Sequence, residues 1–302
     1  MKNVIMFYYS INPAKIYQKG HKYWFTYQGY KYLFIEYSNL TLDIRDVSKL
    51  IENLHQINIP VHDLVFNNNN QMITNVEGRN FVLMKQIVKD GYLSLQDIIN
   101  FSDKTMNQIV LLDSYKKRKS WKKLWSDKID FFEYQISQFG MKYSFLRESF
   151  DYFVGLAENA IAYCNEINDH YYSISHKRLE RKTMYEEFYN PLELIADFHI
   201  RDIAEYFKFK LFNGYLSFHE VEYFLKYHIH VEEYKSFYAR FLFPTPYFDL
   251  FENIIDGKKD EKSIHEMIKK IPTYENFLKE IYEYMIHYTK MPMIEWITKK
   301  HR

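Results

Sequence analysis

The chain reads as an α+β protein, with a small strand-rich N-terminal lobe over residues 1–89 and a large, mostly helical C-terminal lobe over residues 90–302. Three observations carry this reading. Short aromatic and β-branched runs joined by turn signals fill the first part, as half-buried strands require. From Ser94 onward, helix-length amphipathic segments follow one another, separated by glycine and proline. The 302 residues are 47% hydrophobic and 26% charged, a globular composition long enough for a substantial core.

In the first lobe, His21 to Tyr27 and Tyr30 to Tyr37 read as two aromatic-rich strands meeting at Gln28-Gly29, a hairpin signal. Thr41 or Asp43 is placed to cap a helix over 44–57, with Val47, Leu50, Ile51 and Leu54 on one face and Pro60 as its stop. Val61 to Phe66 and Gln71 to Val76 flank the four-asparagine turn Asn67 to Asn70, and Phe81 to Val88 follows Glu77-Gly78. The lobe is thus expected to hold two hairpins and one helix, with the break between lobes near Asp90-Gly91. The opening MKNVIMFYYSINP is apolar but too short for a secretory signal with a clean cleavage site.

The helices expected in the second lobe cover 94–101, 121–139, 144–167, 203–212, 217–230, 231–242, 244–255, 261–270 and 273–288. Trp121, Leu124, Trp125, Ile129, Phe132 and Ile136 form the apolar stripe of the second of these. Within the third, Glu158 and Asn159 interrupt an apolar run, so they are expected to be buried and to anchor the polar loop at His176 to Arg178. In the tail, Trp296 is expected to pack on the body.

Charge and cysteine usage exclude several classes. Forty Lys and Arg against 39 Asp and Glu leave a net charge of +1, so no general attraction to nucleic acid or to an acidic membrane is expected. The densest positive run, Lys116 to Lys119 with Lys122 and Lys123, reads as a solvated helix start or as a contact for an acidic partner. No window approaches the ~20 apolar residues of a membrane span. The single Cys164 rules out an intrachain disulfide framework and suits a reducing compartment. His219, His228 and His230 lack the spacing and the completing carboxylate or thiolate of a metal site. The 29 Tyr fit an A/T-rich coding bias; display for oxidative cross-linking is the functional reading.

The stretch from Tyr171 to Lys208 is where polar residues interrupt two long helical patterns: His176 in a short polar turn, Pro191 opening an apolar run, and Asp197 to Asp202 leading into a helix. SHKRL (Ser175 to Leu179) and ADFHIRDIAEYFK (Ala196 to Lys208) resemble the catalytic region of the aminoglycoside phosphotransferase and choline kinase-like group. ESFDYFVGLAENAIAY, YARFLFPTPYFDLFE and YENFLKEIYEYM, in that order, are similar to the branch of spore coat-associated kinase-like proteins of the YutH and CotS type. This resemblance implies a bilobal protein kinase-like fold, residence in the mother-cell cytoplasm and then the spore coat, and coat proteins as partners.

It also implies a site: an aspartate in a His-Gly-Asp loop to accept the substrate proton, an Asn and a strand Asp for Mg²⁺, and a strand lysine on the phosphates of ATP. Here the loop carries Arg178 where that aspartate belongs, and a guanidinium is no base. No Asn follows near 181–183, and between His176 and Asp197 the only carboxylates are Glu180, Glu186, Glu187 and Glu193. Glu193 and Asp197 remain as catalytic or metal candidates. Lys31, Glu52 and Lys85 are the candidates for nucleotide contact, although Glu36 stands where the phosphate lysine is expected. Asp202 is placed at a helix start, holding the loop. The expected reading is a kinase-like coat protein without turnover and without a required cofactor. The alternative is an ATP- and Mg²⁺-dependent phosphotransferase acting on a small hydroxylated substrate.

Overall fold

The computed structural model describes residues 1–37, 43–87, 91–108, 120–168, 170–179 and 184–298. Two compact units divide the chain: Met1–Lys117 with Ser173–Arg178 and Lys182–Ala196, and Arg118–Tyr172 with Leu179–Arg181 and Asp197–Arg302.

The first unit is built on an antiparallel sheet of β1 (Tyr17–Lys19), β2 (Lys22–Tyr27), β3 (Tyr30–Glu36), β4 (Asp63–Val65), β5 (Thr74–Val76) and β6 (Arg79–Lys85). Strand order is β1-β2-β3-β6-β4, with β5 also on β6. Its hairpins follow from local chemistry. Gln28 and Gly29 sit at φ 50° and 81°, and Glu77 and Gly78 at φ 51° and 81°. Two consecutive left-handed residues make the tight turn whose twist matches paired strands. The four-asparagine turn is organised by Asn67, whose Oδ1 accepts from the Asn69 and Gln71 amides at 3.0 Å each while Nδ2 donates to Thr74 Oγ1 at 3.1 Å.

Alternation along the strands assigns the two sheet faces. Tyr23, Phe25, Tyr32, Phe34, Phe81 and Leu83 join Ile5 and Tyr9 of α1 (Lys2–Tyr9) in one apolar cluster. Leu33, Val82 and Met84 on the opposite face are fully buried too, so the sheet is covered on both sides. Lys22 and Lys31 belong to that second face, because Trp24 pairs with Leu33 and both lysines lie two residues away on their strands. α2 (Ile44–Gln56), capped by Asp43, buries Val47, Leu50, Ile51 and Leu54 as its periodicity predicts. α1 is a correction, since one helix was expected in this lobe and the described residues hold two. α3 (Leu95–Thr105) starts with a capping box between Ser94 and Asp97.

The second unit is helical: α4 (Trp121–Phe139), α5 (Ser144–Tyr163), and, after a short α6 (Tyr185–Phe188) that belongs to the first unit, α7 (Arg201–Phe212), α8 (Phe218–Tyr227), α9 (Tyr234–Leu242), α10 (Thr245–Ile255), α11 (Ser263–Ile268), α12 (Ile271–Met285) and α13 (Glu295–Thr298). Stacked rings fill its core, including Phe153 on Tyr247 at 3.8 Å, Trp125 on Phe243 at 4.5 Å and Phe132 on Phe248 at 4.8 Å. Trp296 meets Tyr152 edge-on at 5.7 Å. The helix expected over 217–230 stops at Tyr227, where His228 takes up the C-terminal cap. Among the described residues no helix is long and apolar enough to cross a membrane. Lys116 to Lys119 lie outside the described residues; Lys122 bonds Asn165 Oδ1 at 2.8 Å and Lys123 pairs with Asp127 at 3.0 Å.

β7 (Tyr172–His176) and β8 (Leu194–Phe198) form a separate two-stranded sheet. The Lys177 amide donates to the Glu193 carbonyl at 2.8 Å at one end, and the His199 amide to the Tyr171 carbonyl at 3.0 Å at the other. These pairings make the two strands antiparallel, and they carry the residues that the sequence singles out.

Candidate functional site

In the first unit, Lys22 of β2 and Lys31 of β3 both donate to the carboxylate of Glu186 on α6. Glu186 is mostly buried, with 13% of its side chain exposed. Burial pushes its carboxyl up, but the hydrogen bonds from the two lysines outweigh this and hold it below the ordinary glutamate range. The same residue is pinned through its backbone, for its carbonyl accepts from Nε2 of the buried His62 at 2.9 Å. α6 is held on either side of it. The Tyr185 amide donates to the Gly91 carbonyl at 3.1 Å and its hydroxyl to Asp97 Oδ2 at 3.1 Å, and Met184 bridges to Tyr92.

Lys31 therefore sits on the strand where a phosphate lysine is expected, with Glu186 as a partner. Glu52 and Lys85 are brought together elsewhere: both line a cavity of about 450 Å³ with Ser48, His55 and Asp63. Lys85 also lies over the Tyr30 ring at 3.6 Å. Glu36 turns away from the lysine face, toward His21 at 3.3 Å and Arg79 at 3.8 Å, as its register beside Phe34 and Tyr32 dictates.

His176 does not lie in a turn. It ends β7, buried between Phe101 at 5.2 Å and a stacked Phe188 at 4.3 Å, with Nε2 donating to the Phe188 carbonyl at 2.8 Å. A ring packed this way on strand and helix is a structural member. Arg178 and Glu193 are both exposed. Lys177 follows His176 and reaches the Leu192 carbonyl at 2.6 Å. Residues 180–183, which include Glu180 and the position where the resemblance expects an Asn, lie outside the described residues.

In the second unit, Asp197 is 5% exposed and its carboxylate is committed. Oδ1 accepts from the Trp121 indole at 2.8 Å and from the Phe198 amide at 2.9 Å, and Oδ2 pairs with Arg201 Nε at 3.0 Å. Arg201 is buried and also meets Asp202 at 2.8 Å. Asp202 thus serves the start of α7. One helical turn on, Glu205 receives Lys208 at 2.8 Å and Arg240 at 2.6 Å, and Arg240 lies over the Trp121 and Trp125 rings. The buried anchors expected at Glu158 and Asn159 are a correction: Glu158 is exposed, and Asn159 donates to the Gly155 carbonyl of its own helix at 2.7 Å.

A nucleotide-bound Mg²⁺ takes one or two protein carboxylates with open lone pairs, the rest of its shell being phosphate oxygens and water. The described residues do not fit this need. Asp197 gives Oδ1 to an indole and an amide, and its Oδ2 lies 3.0 Å from the Arg201 guanidinium, whose charge opposes a metal ion there. Cys164 is no nucleophile, since burial pushes its thiol up to about 12 and its Sγ points at the Ala160 carbonyl.

Comparison with known proteins gives the family and the fold. A family model described as spore coat putative kinase YutH matches residues 2–281. A relative, the endospore coat-associated protein YutH of Bacillus subtilis (strain 168), is 29% identical over 211 residues, covering 59% of this chain and 61% of that protein. The match thus spans about three-fifths of the relative's length. An aminoglycoside phosphotransferase from Alicyclobacillus acidocaldarius superposes with a TM-score of 0.65 at 10% identity, covering 95% of this chain and 96% of that one. Spectinomycin phosphotransferase APH(9)-Ia, solved with ADP and spectinomycin, gives 0.58 at 11% identity, covering 94% and 97%. At such identities the likeness establishes the aminoglycoside phosphotransferase fold and nothing about substrate.

Proposed function

Since the chain belongs to the spore coat putative kinase YutH family, we propose that it is an endospore coat-associated protein that keeps the phosphotransferase scaffold without phosphoryl transfer. Its role is then structural or interactive, made in the mother-cell cytoplasm and carried on the coat with coat proteins as partners. The coat half of this reading rests on the family description and on the relative's name.

The other half rests on one observation. The strand carboxylate that should face a metal, Asp197, instead neutralises the buried Arg201 and accepts the Trp121 indole. Surrendering that carboxylate to Mg²⁺ would leave the buried Arg201 guanidinium with Asp202 alone as its counter-ion and set a metal ion beside it. Arg178, exposed in the loop, supplies no proton acceptor in its place. No catalytic step follows from such a set.

Thermal unfolding with and without Mg²⁺-ATP tests this reading. No Mg²⁺-dependent rise in Tm is expected. A ligand present at 100 times its Kd would add about 2.7 kcal/mol, and a shift of that size would support the working phosphotransferase instead.

A further inference from the structure

Lys22 and Lys31 reach one point from adjacent strands, and what they meet there comes from more than 150 residues away in sequence. Two ammonium groups converging on one oxyanion are the electrostatic equipment of a phosphate site. Glu186 is not drawn there by the lysines alone. Its carbonyl is fixed by His62, its neighbour Tyr185 by Gly91 and Asp97, and Phe188 by the His176 ring and its Nε2 donor. The backbone that carries this carboxylate is therefore held by contacts that would persist without the lysines. Both lysines keep part of their side chains in solvent, 33% and 24% exposed, so a ligand from solution can approach them.

We propose that Lys22 and Lys31 form an anion site for a phosphate-bearing small molecule, and that the chain fills it with its own Glu186 carboxylate as a tethered competitor. A tethered group competes at a high effective concentration set by the rigidity of its mount. A free anion of similar chemistry must therefore displace Glu186 before it binds. This goes beyond the absence of turnover: it concerns occupancy of the lysine pair and requires neither metal nor phosphoryl transfer.

The test is calorimetric titration of the purified chain with pyrophosphate, at low salt and without divalent metal. Glu186→Gln keeps the shape of the side chain and removes its charge. It is expected to bind pyrophosphate at least tenfold more tightly than the native chain, and adding Lys31→Met should abolish the gain. Glu186→Asp, which keeps the charge and withdraws it by one methylene, is expected to fall between the two and serves if the amide variant does not fold. A parallel titration with ADP separates the sources: tighter binding than pyrophosphate identifies a nucleoside diphosphate, equal binding a bare diphosphate. The proposal is overturned if neither variant binds either anion more tightly than the native chain, or if the gain survives Lys31→Met. Either failure leaves the turnover reading untouched, since no step of the titration depends on transfer.

Discussion

His62 donates from Nε2 to the backbone carbonyl of Glu186 at 2.9 Å, across 124 residues of sequence. A carbonyl only accepts, so the ring proton is on Nε2, and Nδ1 is left buried without a hydrogen-bond partner. Burial depresses this imidazole to about 4 from its ordinary 6.5. The unfolded chain therefore takes up a proton first as pH falls, and the stability His62 contributes is complete above the unfolded value and lost on the way down to about 4. Between pH 7 and pH 5 the loss is expected to be about 2 kcal/mol. Glu186, whose carboxyl lies below the ordinary range, is silent in that window, since its contribution is lost only at lower pH. Urea unfolding at the two pH values should show the drop in the native chain and a smaller one in His62→Gln.

Asp197 gives a second prediction. If its duty is to balance Arg201, Asp197→Asn costs stability, about 3 kcal/mol by comparison with broken buried ion pairs, reduced to the extent that Asp202 shares the guanidinium. Pairing the change with Arg201→Met should restore part of the loss. A carboxylate held in reserve for a metal would behave oppositely, because removing it relieves repulsion. Chemical denaturation of the three variants separates these outcomes.

The fold was legible where local chemistry and periodicity agree. α4 runs over the residues expected because Ser120 caps it and its apolar stripe, Trp121, Trp125, Ile129 and Phe132, is buried at helical spacing. α2 was equally clear from Val47, Leu50, Ile51 and Leu54. α1 was not: it is eight residues long, has no side-chain cap, and its β-branched and aromatic residues favour strand as much as helix. Its helical state comes from Ile5 and Tyr9 packing on the sheet. Within the site, the missing loop aspartate could be read directly, since absence of a residue type is visible in one dimension. The partner of Lys31 could not. Glu186 was one of several glutamates in the interval, and only the placement of α6 by Gly91, Asp97 and His62 selects it. His176 was misplaced for a related reason, because the alternation of Ser173, Ser175 and Ile174 disguises a buried strand as a polar turn.

Glu205 offers a third prediction. It is buried between Lys208 and Arg240. Desolvation pushes its carboxyl up, but the two cations hold it down at about 2. Burial in turn lowers Lys208 to about 8, the carboxylate limiting the fall. Glu205→Gln strands two buried cations and is expected to destabilise the chain by about 3–5 kcal/mol at pH 7. With Glu205 gone, lowering the pH should cost still more, because the buried Lys208 must take up a proton that the unfolded chain already holds. Equilibrium unfolding across pH 6 to 9 reads both effects.

A fourth prediction concerns Gly91. A Cβ there would lie 2.8 Å from the Tyr185 ring, closer than real contacts allow. Gly91→Ala should displace Tyr185 from Asp97 and loosen the mount of Glu186, lowering stability by about 1–3 kcal/mol. Tyrosine near-ultraviolet circular dichroism alongside unfolding would register both changes.

The most direct measurement is phosphate release and transfer from γ-labelled ATP by the purified chain with Mg²⁺, over hours and at high protein concentration. The expected result is a rate no greater than that of heat-denatured protein, with no label on the chain. Label transfer or phosphate release that tracks the folded protein and disappears in Asp197→Asn would contradict it.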